Sequence, residues 1–458
     1  MHRSLSDSKT LSTFLYEETP DRSPTFHRVS HHQLPRRSLD TVLSRNSWSN
    51  KTVLSPKSSP LLTPSPKSSW SFSPPCTPSC SPLIHHCISS LHRDGNIHSV
   101  VVSKGLVLTG SSSACIRAWR PLTSCEWGFI QASSGEVRAM LAHGDLVFTS
   151  HKDRRIRVWN IESCTTKFSP SKVTTLPKPS PLKFLTSKCR GSPHKDIISC
   201  MAYNHVDGIL YTGSWDKTVK AWRLSDRRCT DSFLAHGDNI NDMVVNRDGN
   251  LFTCSSDGLV KMWSQVRGET FHTLTMTLSF LPFPTYALAL HEAPESRESL
   301  LYSGSSDGCL NLWERKLSGG YSHVGSIHAH RFAVLCLTIL NDMVISGSAD
   351  STIKIWKRGH GKTHQCLAVL DGHRGPVKCL SACIETGVGE KGFLVFSASL
   401  DHTFKVWRVK VFPEQKETQL FICDSDSMND GKIVWEESPV LSPTWVKKVQ
   451  LGRLSVSN

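Results

Sequence analysis

The sequence predicts an all-β chain that forms a seven-bladed propeller behind a disordered N-terminal arm, and three observations carry that prediction. A short pattern of Ser or Thr, three residues, Asp, five residues and Trp recurs seven times along the 458 residues. Each copy is surrounded by alternating apolar and polar residues, the period of a β-strand. Ser and Pro crowd ahead of the first copy and thin out afterwards.

The copies read TGSSSACIRAW, TSHKDRRIRVW, TGSWDKTVKAW, TCSSDGLVKMW, SGSSDGCLNLW, SGSADSTIKIW and SASLDHTFKVW, ending at Trp119, Trp159, Trp222, Trp263, Trp313, Trp356 and Trp407. Only the first lacks the Asp, carrying Ser113 in its place. Apolar residues three and five positions after the Asp, such as Ile353 and Ile355, flank a polar one, which places this half of the motif on a strand. Stretches such as GILY, NLFT, DMVI and FLVF precede the copies, so the Asp turn joins two strands as a hairpin. Further upstream, ISCMAY, INDMVV, YALAL and VLCLTI each supply one more strand, and no repeat shows a helical period. Adjacent Trp residues lie 40 to 63 positions apart, against roughly 40 to 45 for an uninterrupted propeller repeat. The excess marks insertions.

The pattern resembles the WD-repeat family. In that family a His ahead of the first strand joins the Ser/Thr, the Asp and the Trp in a hydrogen-bonded tetrad. The resemblance implies His194-Thr212-Asp216-Trp222, His236-Thr253-Asp257-Trp263, His330-Ser346-Asp350-Trp356 and His373-Ser397-Asp401-Trp407. His92 fits the same place in blade 1, whereas blades 2 and 5 offer no such His and are expected to be the least rigid. The residue after each Trp is never Asp, so the chain is divergent. The resemblance further implies that LIHHCI, residues 83–88, is the outer strand of the last blade and closes the ring. The wording of LYTGSWDKTVKAWRLSDRRC, LAVLDGHRGPVKCL and ISGSADSTIKIWKRG is similar to the JINGUBANG-like WD-repeat family of plants. That likeness implies a regulatory protein acting through protein contacts.

Bulk properties narrow the function classes. No apolar run reaches the roughly 18 to 20 residues that span a bilayer, and the first residues lack a signal-peptide core, so the reading is cytoplasmic with nuclear access. The 16 Cys fall mostly in strands and read as reduced core residues. The net charge of +14 is dispersed: residues 1–85 hold ten Lys/Arg against five Asp/Glu, and residues 161–195 hold seven against one. Nucleic acid is therefore an unfavoured partner. No metal or cofactor is called for. Cys76, Cys80, His85 and Cys87 suit no standard zinc spacing, and Gly304-Ser305-Ser306-Asp307-Gly308 imitates a nucleophile elbow but sits in a predicted hairpin.

A propeller lacks catalytic machinery of its own, so function is read from its surfaces. By analogy with WD repeats, the residues just before the Asp and those flanking the first-strand apolar residue face the top opening. Here they include His98, Arg138, Lys152, Trp215, Asn239, Asn241, Leu335, Lys378 and Leu400. Trp215 offers a large apolar face with a polar N–H, and Arg138, Lys152 and Lys378 suit an acidic or phosphorylated peptide. The cations in the middle of the Asp-to-Trp strands, among them Arg157 and Lys220, read as structural, their stems covering apolar surface with their charges in water.

The arm, residues 1–82, carries Ser/Thr-Pro steps at Ser23, Ser55, Ser59, Thr63, Ser65, Ser73, Thr77 and Ser81, candidates for proline-directed phosphorylation. Residues 161–195 repeat that chemistry with Ser169, Ser180 and Ser192 and are expected to form an extruded loop between blades 2 and 3. Residues 413–458 receive no fold. The leading function is a non-catalytic scaffold whose top face grips partner proteins. Two other classes stay open: a substrate receptor of a cullin-type ubiquitin ligase, for which Trp313-Glu314-Arg315-Lys316 is a degenerate signature, and an RNA-binding propeller.

Overall fold

Seven four-stranded antiparallel sheets follow one another along the chain in the computed structural model. It describes residues 83–411 except 93–94, 124, 133–134, 163–167, 179–191, 267, 281, 294–297, 360–362 and 386–391. The arm with its Ser/Thr-Pro steps, the Cys76/Cys80 pair, Ser180 and the whole of residues 413–458, a unit separate from 1–412, lie outside the described residues. No helix is found among the described residues.

Blade 1 comprises β2 (Ile97–Ser103), β3 (Leu106–Ser111), β4 (Cys115–Trp119) and β5 (Glu126–Gln131). Blade 2 follows with β6 (Val137–His143), β7 (Leu146–His151), β8 (Ile156–Glu162) and β9 (Ser169–Leu176). Blade 3 holds β10 (Ile198–Asn204), β11 (Ile209–Ser214), β12 (Thr218–Arg223) and β13 (Arg228–Leu234); blade 4 holds β14 (Ile240–Val245), β15 (Leu251–Ser255), β16 (Val260–Gln265) and β17 (His272–Leu278). Blade 5 is β18 (Thr285–Glu292), β19 (Ser299–Ser305), β20 (Cys309–Arg315) and β21 (Tyr321–His328), and blade 6 is β22 (Val334–Leu340), β23 (Met343–Ser348), β24 (Ile353–Arg358) and β25 (His364–Leu370).

Blade 7 is assembled from both ends of the propeller. Its strands β26 (Val377–Ile384), β27 (Gly392–Ser399) and β28 (Thr403–Val411) are completed by β1 (Leu83–His92), which pairs with β28 from Leu83↔Val411 to His92↔Thr403. This covers an edge that would otherwise present a row of unpaired backbone groups. It also corrects one sequence expectation. His92 is exposed in this outer strand, with its ring edge-on to His402 at 6.2 Å, and belongs to blade 7 instead of a blade 1 tetrad.

The stretch 161–195 is corrected as well. Residues 161 and 162 end β8, and Ser169–Leu176 form the outer strand of blade 2, paired with β8 from Glu162↔Ser169 to Ile156↔Leu176. Pro170 and Lys172 are tolerated because an outermost strand leaves one side of its backbone unpaired. Within this stretch Ser169 and Ser192 are exposed.

The core is divided into seven apolar clusters, one between each pair of successive blades. In each, the Trp of one blade packs against strands of the blade before it, as Trp119 does against Phe396 and Phe404 of blade 7. Blades can approach closely because Gly110, Gly213, Gly304 and Gly347 sit where a Cβ would strike the first strand of the next blade. At Gly304 the added carbon would lie 2.7 Å from Val334 Cγ1 and 3.0 Å from its Cβ. Gly304→Ala should therefore cost about 1–3 kcal/mol in urea denaturation, whereas Gly325→Ala, with nothing within 4 Å, should change the midpoint little. Equal midpoints for the two variants would contradict this packing.

Candidate protein-interaction site

The top of the ring is held by a network that repeats with variations. In blade 3, Trp222 Nε1 donates to Thr212 Oγ1 at 3.0 Å, that hydroxyl meets His194 Nε2 at 2.8 Å, and His194 Nδ1 faces Asp216 at 3.0 Å. Asp216 also accepts the backbone N–H of Lys195 at 2.7 Å, so the entry loop is tied to the hairpin turn twice. The same chain of bonds joins His236, Thr253, Asp257 and Trp263. It recurs for His330, Ser346, Asp350 and Trp356 and for His373, Ser397, Asp401 and Trp407.

Three blades build the network differently. In blade 2 the histidine comes from the hairpin itself: His151 Nε2 meets Thr149 Oγ1 at 2.9 Å, Trp159 donates to the same hydroxyl, and Asp153 is claimed by the Arg157 guanidinium at 2.7 Å. Blade 5 keeps Trp313 on Ser303 at 2.9 Å and uses Asp307 to accept the Cys309 N–H. In blade 1 Trp119 bonds Thr109, while Ser113 meets Ser111 Oγ at 2.8 Å. Two of the mid-strand cations are tied down inside the fold, while Arg117 keeps a 38% exposed side chain. Lys220 reaches Ser232 Oγ and Lys354 reaches the Ala329 carbonyl, both at 2.7 Å.

The consequence at the top is a fixed rim. In all seven blades the residue ahead of the Asp position donates its backbone N–H to the carbonyl just before the inner strand, as Lys152 does to Glu136, Trp215 to Ile197, Ser256 to Asn239 and Leu400 to Pro376, each at 3.0 Å. Two residues later every inner strand carries a β-bulge. The register shifts between Ile97 and Ser99, Val137 and Ala139, Ile198 and Cys200, Ile240 and Asp242, Thr285 and Ala287, Val334 and Cys336, and Val377 and Cys379. A bulge leaves one residue outside the pairing and re-aims its side chain. The seven bulged residues are His98, Arg138, Ser199, Asn241, Tyr286, Leu335 and Lys378, and all seven line one central cavity of about 210 Å³.

Of the nine top-face residues expected from sequence, the cavity collects His98, Arg138, Trp215, Asn241, Leu335 and Lys378. Lys152, Asn239 and Leu400 stay outside its lining. Sequence reasoning missed Tyr286 and Ser199, which occupy the same position in their strands, and Asp242 deeper in the wall. Asn241 donates to the Thr285 carbonyl at 2.8 Å and Asp242 accepts the Leu288 N–H at 2.8 Å, so both also bind blade 4 to blade 5. Burial pushes the Asp242 carboxyl up to about 6 despite its two backbone donors.

The cations are clustered on blades 7, 1 and 2. Lys378 Nζ lies 3.4 Å from His98 Nδ1, and Ser112 Oγ lies 3.3 Å from His98 Nε2. Burial, with Lys378 and Arg138 beside it, pushes His98 down to about 2, so it is neutral and serves as an acceptor for Lys378. Glu136 pairs with the Arg138 guanidinium and, at 3.3 Å, with Lys152. Among the described residues no group of His, Cys, Asp and Glu is arranged to hold a metal ion.

The WD domain, G-beta repeat family model matches residues 186–223, 227–264, 321–357 and 364–408. These four segments match the WD repeat, and their Trp residues are those of the four complete tetrads. The chain is 25% identical over 160 residues to Protein tipD of Dictyostelium discoideum, covering 35% of this chain and 23% of the relative. It is 31% identical over 84 residues to the small ribosomal subunit protein RACK1 of Drosophila melanogaster, 18% of this chain and 26% of the relative. With the striatin homolog of Dictyostelium discoideum it shares 26% over 230 residues, 45% of this chain and 25% of the relative. The chain thus spans about a quarter of the length of these relatives.

The tetrads make a pH prediction. Burial opposes ionisation of Asp216, Asp257, Asp350 and Asp401, yet hydrogen bonds from their His and, in three of them, Thr partners hold all four carboxyls below the ordinary 3.8, to about 2 for Asp257 and Asp401. Burial likewise lowers His194, His330 and His373, which stay neutral near pH 7. A depressed folded value means the stabilisation is present above about pH 4 and is lost as pH falls toward 2. Urea midpoints should drop as pH falls from about 4 toward 2, and Asp350→Asn should lower the midpoint at pH 7 while flattening that drop. A wild-type midpoint unchanged down to about pH 2 would contradict the assignment.

Proposed function

We propose that the protein is a non-catalytic regulatory adaptor that binds partner proteins at the top mouth of its propeller. The observation that carries this reading is the convergence of seven bulged side chains, one from each blade, on a single cavity. A fold that repeats one backbone device seven times yet varies the residue on it, from Lys378 to Tyr286, has specialised that position for recognition and not for stability. Trp215, half-buried in the lining, supplies aromatic area of the kind that dominates protein contacts, and Lys378 and Arg138 supply charge.

Relatives support the same class. One of them is, by its name, a protein of the small ribosomal subunit, and thus part of a larger assembly. The likeness of LYTGSWDKTVKAWRLSDRRC and ISGSADSTIKIWKRG to JINGUBANG-like plant proteins supports a regulatory role, which we place in the cytoplasm with access to the nucleus on the sequence features given above. Phosphorylation of the Ser/Thr-Pro steps in residues 1–82 would shift that segment from basic toward acidic and so regulate which partners reach the mouth. The Trp313-Glu314-Arg315-Lys316 stretch gains no support as a ligase signature, because Arg315 is held by Asp248 at 2.6 Å.

Affinity purification of the intact chain against a Trp215→Ala/Lys378→Glu variant, with folding checked by circular dichroism, tests the reading. The variant should lose one defined set of partner proteins while retaining the β-sheet spectrum. An identical partner set on both would remove the top mouth as the binding surface.

A further inference from the structure

The top rim is divided into sectors by residue chemistry, and the division is the same at two successive levels. The outer level is the residue two positions ahead of each inner strand: Gly375, Gly95 and Gly135 in blades 7, 1 and 2, Asp196 and Asp238 in blades 3 and 4, Phe283 and Phe332 in blades 5 and 6. The inner level is the bulged residue three positions further on. There the same blades carry Lys378, His98 and Arg138, then Ser199 and Asn241, then Tyr286 and Leu335.

Blades 5 and 6 therefore carry apolar side chains at both levels, exposed at the outer one and, at the inner one, half-buried in Leu335 and buried in Tyr286. Phe283 and Phe332 are 41% and 58% exposed, a state that costs hydration free energy unless something covers them. Their loops are set firmly. Gly258 and Gly308, each with positive φ, allow the backbone of residues 282–283 and 330–332 to lie against the hairpin turn of the blade before. This sector leads down to Tyr286 and Leu335 in the cavity lining, next to Lys378 of blade 7.

Blades 7, 1 and 2 present the opposite chemistry. Glycine keeps the rim low there, with Gly95 and Gly135 in the left-handed region; Arg138 and Lys152 share the Glu136 carboxylate, and Lys378 lies against the neutral His98. The surplus positive charge is modest, and Asp242 of blade 4 lines the same cavity. A single carboxylate matches that balance better than a doubly charged phosphate, which Glu136 and Asp242 would repel.

The geometry points to a two-part peptide clamp, a reading that rests on the top mouth being the binding surface. A partner segment places a bulky apolar side chain on Phe283, Phe332, Tyr286 and Leu335, and an acidic side chain a few residues away on the Lys378–Arg138 arc. Asp196 and Asp238 bar the acidic residue from the third sector, so the segment crosses the mouth in one preferred direction. The apolar contact provides most of the affinity and the charge pair sets register.

A phage-displayed library of random 12-residue peptides, selected on the intact chain, tests this. Enriched clones should pair a Leu, Phe, Met or Trp with a Glu or Asp at a constant short spacing. Their binding should fall about tenfold or more on Phe283→Ser/Phe332→Ser, both exposed positions where the fold is not at stake. On Lys378→Gln it should weaken in a way that 0.5 M salt reproduces in the unaltered chain. Enriched clones lacking either component, or no enriched clone at all, would overturn the clamp. Clones displaced by Trp215→Ala/Lys378→Glu but indifferent to the phenylalanine pair would overturn the sector assignment and leave the top mouth as the binding surface. Clones indifferent to every one of these variants would remove both.

Discussion

At the top of every blade the backbone N–H ahead of the Asp position is spent on the carbonyl just before the inner strand, and the rest of the mouth depends on that bond. It fixes the hairpin turn and the strand entry relative to each other before any side chain is considered. The inner strand then accommodates one extra residue as a bulge, and seven such residues share a cavity of about 210 Å³. Lose the bond in one blade, and its bulged side chain has no defined direction. The tetrads act on the same joint from inside the blade, because each Asp grips both the His and the backbone of the entry loop.

Structural and mouth-lining roles are partly separated along each inner strand. Burial, small residues and hydrogen bonds are concentrated on either side of the bulge: Ile97, Val137, Ile198, Ile240, Val334 and Val377 before it, and Ala139, Cys200, Ala287 and Cys379 after it. Packing at the bulged position varies, with Tyr286 and His98 buried and the other five half-buried, and its chemistry is cationic in one sector and apolar in the next. Contacts across blades are made both by bulged residues, Ser199 on the Ile240 carbonyl and Asn241 on that of Thr285, and by their neighbours. Ser99 Oγ accepts the Met140 N–H and Ser150 Oγ donates to the Ile198 carbonyl, which satisfies inner-strand edges that would otherwise be unpaired.

Much of the fold is legible in the sequence because the Trp, Asp and Ser/Thr positions are covalently spaced within one hairpin, and local spacing is what a sequence displays. The closing strand β1 was expected only through the resemblance to WD repeats, because its partner β28 lies at the far end of the propeller. What escaped notice depends on pairing between segments. His151 stands inside its own hairpin, where a search ahead of the first strand does not look. Strand β9 was hidden by Pro170 and Lys172, residues that an outermost strand accepts and an inner one would not. The bulges are a matter of register, so Tyr286 and Ser199 stood out only when the seven strands were aligned on them. Phe283 and Phe332 fall outside the repeated pattern, and their meaning comes from comparison with Gly95, Asp238 and the other residues at that place in the ring.

Whether the bulged positions are where partners sit is the claim on which the functional account rests. Photo-crosslinking from p-benzoylphenylalanine in the intact chain addresses it directly, with the probe at Tyr286 in one protein and at Thr273, exposed on the outer strand β17, in another. The account predicts a discrete set of crosslinked proteins from position 286 that is absent from position 273. Equal crosslinking from both positions, or crosslinking from 273 alone, would contradict it.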